Sequence, residues 1–220
     1  MAAINATNPD PDDWTAAEVT RAQISYWLMQ TRDGYYHSDF VLNHVQAPSP
    51  DGTTKGQITW YDYPGKGTDI ELVGTSMFPS VKALRLSGSG ETRWTYYQRN
   101  TVGKITERRS TYTDPGTGSV AVRTDFKRTY DATTGTELLD ERDASNNYRR
   151  TYTYNAAHRI LTKRAFHTAT TNPNDSTKYY QTTYTYASDG SQRMTSRVTP
   201  GGLTTTWTYT ASGGPADGYT

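Results

Sequence analysis

An all-β chain of repeated antiparallel β-hairpins, joined into a continuous curved or spiralling sheet, is the fold this sequence predicts. Three observations predict it. The first is composition: 18 Tyr, 5 Trp and 39 Thr stand against only 28 Ile, Leu, Val and Phe in 220 residues. Flat and β-branched side chains suit a pleated, half-buried surface. So few aliphatics alone would suggest disorder, but a net charge of +1 and the abundance of aromatics argue otherwise. The second is apolar alternation with a period of two, punctuated by Gly, Pro, Asp and Asn. The third is a recurring Tyr-x-Tyr unit followed by a turn. Burial is expected to come from ring faces, with the hydroxyls left in water, and to give thin sheets rather than a thick aliphatic core.

Residues 1–20 are polar and rich in Pro and Asp, and read as a flexible leader. Asp12 or Asp13 could cap a short helix over residues 14–18. From Arg21 the period becomes two: Ile24, Tyr26 and Leu28 alternate with Trp27 and Met29. Asp33-Gly34 then separates this run from Tyr36, Ser38, Phe40 and Leu42, a strong hairpin signal. Residues 47–52 form the next loop, residues 57–63 a further strand, and Pro64-Gly65-Lys66-Gly67 its end. The aliphatic stretch 72–86, broken by Gly74 and Pro79, predicts a strand pair or a small plug, and residues 87–90 a turn. Residues 21–92 thus read as degenerate hairpin repeats, a possible cap, and residues 93–220 as a regular array.

In the array, Tyr96-Tyr97 leads to Gly103-Lys104-Ile105, and Tyr130-Asp131 leads to Gly135 and Leu138. The fullest copy runs from Tyr152 and Tyr154 through Asn155 and His158 to Ile160. Tyr184 and Tyr186 lead to Gly190, and Trp207 and Tyr209 to Gly213. Tyr61-Asp62-Tyr63-Pro64-Gly65 is a looser copy. The second tyrosines, at 63, 97, 130, 154, 186 and 209, are separated by 34, 33, 24, 32 and 23 residues, each step long enough for two strands and two turns. The pattern is Tyr-x-Tyr-(Asp/Asn)-x-x-Gly-(Arg/Lys)-(Leu/Ile). Rings at i and i+2 share one face of a strand and could stack on those of neighbouring hairpins. The Asp or Asn side chain tightens the turn, and Gly supplies positive φ. The last two positions start the return strand.

This motif resembles that of the YD-repeat, or RHS-repeat, family, most closely over residues 152–160, convincingly over 93–213 and more loosely over 21–92. The resemblance implies a wall segment of a hollow β-shell that encloses or displays a toxin or other cargo. Its partners would be neighbouring repeats of a longer protein, a toxin cargo or a cell-surface glycan, and its location extracellular or on the cell surface of a bacterium. Family shells often end in a segment with Asp-Pro sequences and an autoproteolytic aspartate. Asp10-Pro11 and Asp114-Pro115 lack that context, so no protease residue is carried over.

No residue pattern points to an enzyme, a cofactor or a metal. There is no cysteine for a thiol nucleophile, a Cys zinc site or a disulfide. His37, His44, His158 and His167 lack ligand spacing. Asp140/Glu141 and Asp12/Asp13 are adjacent and diverge in a strand. Gly88-Ser89-Gly90 lacks the spacing of a nucleophile elbow. Residues 1–75 carry ten acids and four bases, residues 76–220 twelve acids and nineteen bases. The basic residues are spread singly along strands, which suits cross-strand pairing rather than nucleic acid. No apolar run reaches the length of a membrane-spanning helix. Two alternatives to the shell follow from the rings and the strand edges. One is a cell-surface adhesin or carbohydrate-binding module using Trp60, Trp94 and Trp207. The other is a self-assembling β-repeat filament.

Overall fold

The computed structural model describes residues 15–32, 35–68, 71–86 and 90–209, and it is all-β and antiparallel. Among the described residues there are thirteen strands, and their order in the sheet follows their order in the chain. Each strand therefore pairs with its sequence neighbours, as a hairpin repeat requires. Two compact units can be distinguished, residues 1–98 with 108–123, and residues 99–107 with 124–220.

The first unit opens with α1 (Ala16–Arg21). Its N-cap is Thr15, not Asp12 or Asp13, which lie outside the described residues, as does the rest of the leader. The Thr15 hydroxyl accepts from the Glu18 amide at 3.3 Å, and Glu18 accepts from the Thr15 amide at 2.8 Å. This capping box satisfies two amides that the first helical turn leaves unpaired. The strands are β1 (Ile24–Arg32), β2 (Tyr35–Gln46), β3 (Ile58–Asp62), β4 (Val81–Arg85) and β5 (Thr92–Arg99). The Asp33-Gly34 and Ser87-Gly88-Ser89 turns lie outside the described residues. The aliphatic stretch after residue 71 divides in two. Val81–Arg85 becomes β4, while Leu72 forms a parallel bridge to Met29 and Val73 packs on the core of Leu28, Val41 and Tyr63. That core is small, as an aromatic-rich, aliphatic-poor sequence dictates.

β6 (Ile105–Thr113) and β7 (Val120–Tyr130) contribute a length to each unit. The second unit continues with β8 (Leu138–Arg142), β9 (Tyr148–Tyr154), β10 (Ile160–Phe166), β11 (Tyr179–Tyr186), β12 (Met194–Val198) and β13 (Thr204–Thr206). Here Arg128 covers buried Phe126, its guanidinium carbon 4.1 Å from the ring centre, and donates to Glu141 directly opposite it at 2.9 Å. Glu141 is only 8% exposed, so this pairing keeps a buried carboxylate satisfied.

The short turns share one scheme. Asn100, Asp143, Asn155 and Thr199 each accept from the amide three residues on, while their own amides donate to the carbonyl four residues on. The residue three places on has positive φ in all four: Gly103, Asn146, His158 and Gly202. Side-chain oxygens of Asn100, Asp143 and Asn155 also take the amide four residues on, at 2.9 Å in each case. A left-handed residue turns the chain in all four, and in three of them an Asx side chain gathers an amide, which the Thr199 turn does without.

Candidate functional site

The recurring element of the molecule is a tyrosine hydroxyl that closes the end of a strand ladder. The β8–β9 ladder ends at the pair Asp140↔Thr151. Beyond it, the Tyr154 hydroxyl donates to the Leu138 carbonyl at 3.0 Å. The β10–β11 ladder ends at Thr162↔Thr183, and Tyr186 donates to Ile160 at 2.9 Å. The β12–β13 ladder ends at Ser196↔Thr206, and Tyr209 donates to Met194 at 2.8 Å. In the first unit the β2–β3 ladder ends at His44↔Trp60, and Tyr63 donates to Leu42 at 2.7 Å. In all four, the tyrosine lies three residues past the last pair and its acceptor two residues before it. Tyr130 makes the same kind of bond to Ile105 at 3.3 Å.

Bulges explain why a side chain is needed there. Each acceptor Leu138, Ile160 and Met194 faces the tyrosine of its own hairpin (Tyr130, Tyr154 and Tyr186), and a register shift follows at once. A bulge bends the strand and interrupts backbone pairing. The phenol spans the resulting gap and satisfies the carbonyl left over. The aliphatic position of one motif therefore packs against its own tyrosine and is bonded by the next. The hydroxyls expected in water are, at these five positions, bonded to the backbone. Burial raises the phenol pKa of Tyr154 and of Tyr186, and pushes that of Tyr63 up to about 12.

No ring pair joins tyrosines 130, 152, 154, 184, 186 and 209 to one another among the described residues, so the stacked ladder is not formed. Equivalent tyrosines sit on alternate strands, roughly 9.5 Å apart, beyond the reach of ring–ring contact. Arginines cover several rings instead: Arg142 over Tyr148 at 4.2 Å, Arg164 over Tyr179 at 4.7 Å and Arg193 over Tyr209 at 4.9 Å.

The first copy of the motif has a different register from the one its tyrosines suggest. Tyr97 stands three residues before the turn residue Asn100, as Tyr152 stands before Asn155. The place of Tyr154 is taken by Arg99, whose guanidinium donates to the Gly103 carbonyl at 2.8 Å. Counted from Arg99, the copies at 130, 154, 186 and 209 follow at 31, 24, 32 and 23 residues, which keeps the long and short steps in alternation.

The turns at the motif end of the second unit are joined in series. Asn100 donates to the Gly135 carbonyl at 2.7 Å, Glu137 lies 2.7 Å from His158 Nδ1, and Asn155 contacts Gln192 at 3.4 Å. Asp131 accepts amides from Thr134, Thr136 and Glu137 at 2.6, 3.0 and 2.8 Å. These bonds, the Thr134 amide first, hold its carboxyl well below the usual carboxylate range. Gly103, Gly135 and Gly190 all have positive φ, and Gly213 lies outside the described residues.

The three candidate ligand-stacking tryptophans separate. Trp207 follows β13 in the second unit, where its amide donates to Thr195 at 3.0 Å. Trp60 and Trp94 belong to one cross-strand row of the first unit: Tyr26↔His44↔Trp60↔Ala83↔Trp94. Tyr26 stacks on His44 at 4.0 Å, and His44 lies 6.3 Å from Trp60. Ala83 between the two tryptophans is 5% exposed, whereas Tyr26 and Trp94 are 43% and 41% exposed. Beside the row, Ile58 and Arg85 face each other across β3 and β4 and line a cavity of about 280 Å³ with Thr54, Lys55 and Leu86. Nothing in the sequence except the strand register could have put these five residues in line. Among the described residues no cluster of His, Asp and Glu could hold a metal ion, and no helix is long and apolar enough to cross a membrane.

No protein-family model matches the chain, and no curated protein matches it. Among solved structures it is similar to chains of two crystal structures, TcdB2-TccC3-Cdc42 and TcdB2-TccC3-TEV. Each is 14% identical and covers 86% of this chain, with TM-scores of 0.33 and 0.30. This chain spans 11% and 12% of the length of those chains.

Proposed function

We propose that the chain is a wall segment of a YD/RHS-type repeat shell, a scaffold that encloses or displays a cargo such as a toxin. The observation that carries this reading is the iterated hydroxyl bond from one hairpin to the strand before it, made by Tyr63, Tyr130, Tyr154, Tyr186 and Tyr209. Stability in such an array sums over neighbour contacts, so a motif that fastens each hairpin to the last suits a wall built from many copies. The motif residues Asp131, Asn155, Gly103 and Gly135 are spent on turns, which fits a mechanical task rather than a chemical one.

Limited proteolysis of the protein expressed from its full reading frame tests the proposal. A shell leaves a non-repeat segment resistant to protease, and Tyr→Phe changes at the latch positions expose it. A reading frame without further Tyr-x-Tyr turns, or a protein that grows into fibres with rising concentration, overturns it in favour of a free-standing module or a filament.

A further inference from the structure

Strands β9 to β12 of the second unit carry on one face a patch that neither the turns nor the latches use. Three cross-strand rows compose it: Glu141↔Arg150↔Ala165↔Tyr180, Tyr152↔Lys163↔Thr182 and Tyr184↔Arg197. Successive rows lie two residues apart along a strand, so their side chains share that face. Three cations and three rings are thus interleaved on it. Arg150, Arg197 and Tyr180 are exposed, and Lys163, Tyr152 and Tyr184 are half-buried. The cross-strand ion pairs expected of these cations are not made. Lys163 stands between Tyr152 and Thr182, Arg197 faces Tyr184, and the carboxylate opposite Arg150, that of Glu141, is taken by Arg128. None of the three has an ion-pair partner among the described residues. Residues 144–209 hold eight bases against two acids, Asp175 and Asp189, and both acids are bonded within their own turns.

We propose that this face binds a single-stranded nucleic acid, its bases stacking on Tyr152, Tyr180 and Tyr184 and its phosphates held by Arg150, Lys163 and Arg197. Any base presents a flat π-face to a ring, and the cations beside the rings meet the backbone that joins the bases. Tyr152 lies two strands across and two residues along from each of the other two rings, about 12 Å away by strand spacing and rise, so each ring takes a separate base. A duplex hides its base faces in the stack, which is why the rings select an unpaired strand. An acidic polypeptide meets the cations but leaves three rings without planar partners. The patch is independent of the wall function, since none of its residues is a latch tyrosine.

The test uses the whole chain and fluorescein-labelled oligothymidylate, with binding followed by anisotropy across a salt series. The affinity should fall with salt at a log–log slope of about −2, the value for three phosphates on a single strand, and each of Arg150→Gln, Lys163→Gln and Arg197→Gln should reduce that slope by about 0.7. Tyr184→Leu should weaken binding about tenfold, the lower range for one stacked base, whereas Tyr184→Phe, which keeps the ring, should not. Lys55→Gln, at an exposed lysine of the first unit, should change nothing. Should Tyr184→Leu lose the circular dichroism of the wild type, the slopes of the glutamine variants decide. Absence of binding at low salt, or slopes unmoved by the glutamine variants, overturns the proposal. Equal binding of polyglutamate, or a folded Tyr184→Leu variant that binds as wild type does, overturns it in favour of an acidic polypeptide held by charge alone.

Discussion

Tyr63 has its hydroxyl on the Leu42 carbonyl and its ring in the core beside Leu28 and Val41. Burial favours the neutral phenol, so its folded pKa rises from 10.0 to about 12. The folded state then holds this proton more tightly than the unfolded one. Its contribution is intact below pH 10 and is lost as pH rises towards 12. Alkaline unfolding monitored by circular dichroism should therefore begin near pH 10, and Tyr63→Phe should flatten that limb; an unchanged slope contradicts the assignment. Asp131 behaves in the opposite sense. Its folded pKa lies below 3.8, so its contribution is present above that value and fades as pH falls below it. Asp131→Asn should show a shallower loss of stability on acidification than wild type. Gly135 is the turn residue at φ +68°, and a Cβ there would meet Asn100 at 3.1 Å and Val102 at 3.2 Å. Gly135→Val should cost at least about 2 kcal/mol from left-handed strain and crowding. Thr134→Val loses the exposed hydroxyl's bonds to the Asp131 carboxylate and to Thr136 and should cost roughly 1 kcal/mol, since water can take their place. Equal thermal midpoints for the two variants would contradict the turn geometry.

At the scale of the strand pair, Arg128 and Glu141 show how a thin sheet carries charge in its interior. Arg128→Met leaves Glu141 buried without its cation, and chemical unfolding should register a loss of about 2 kcal/mol, reduced from the fully buried case because Arg128 reaches solvent. A loss under about 0.5 kcal/mol would mean that water replaces the guanidinium. Strands and turns were legible in the sequence because alternation and Asx–Gly punctuation act locally. Residues 130–138 carry Asp131 and Gly135, residues 152–160 carry Asn155 with His158 in the glycine's place, and both are hairpins. The latch was not legible, because its acceptor is a backbone carbonyl, which has no residue type to recognise. The separations between acceptor and tyrosine, 21, 25, 16, 26 and 15 residues, vary too much to reveal it. Tyr97 misled for a related reason: a paired tyrosine signals the motif, but the turn residue sets its register, and there Arg99 holds the critical place. His158 could be read as a departure from the usual glycine, yet the structure gives it φ 62° and a contact to Glu137 that ties two turns.

Across the molecule, one rule links the hairpins: a ladder stops, a bulge turns the strand, and a tyrosine from the following strand takes up the exposed carbonyl. The rule holds in both units, at Tyr63 as well as at Tyr154, although their turns differ. The aromatic strip of the first unit was half legible, since its tryptophans were visible but their alignment depends on register through Ala83. The most direct measurement is a set of single Tyr→Phe variants at 63, 130, 154, 186 and 209, compared with Tyr152→Phe and Tyr184→Phe, whose hydroxyls have no partner among the described residues. Equilibrium urea unfolding should show each latch variant destabilised by about 1 kcal/mol, and more where the carbonyl is left dry, with the two comparison variants within about 0.5 kcal/mol of wild type. Losses of the same size in both sets would show that ring burial alone holds the hairpins, and that the hydroxyl-to-carbonyl bond does not.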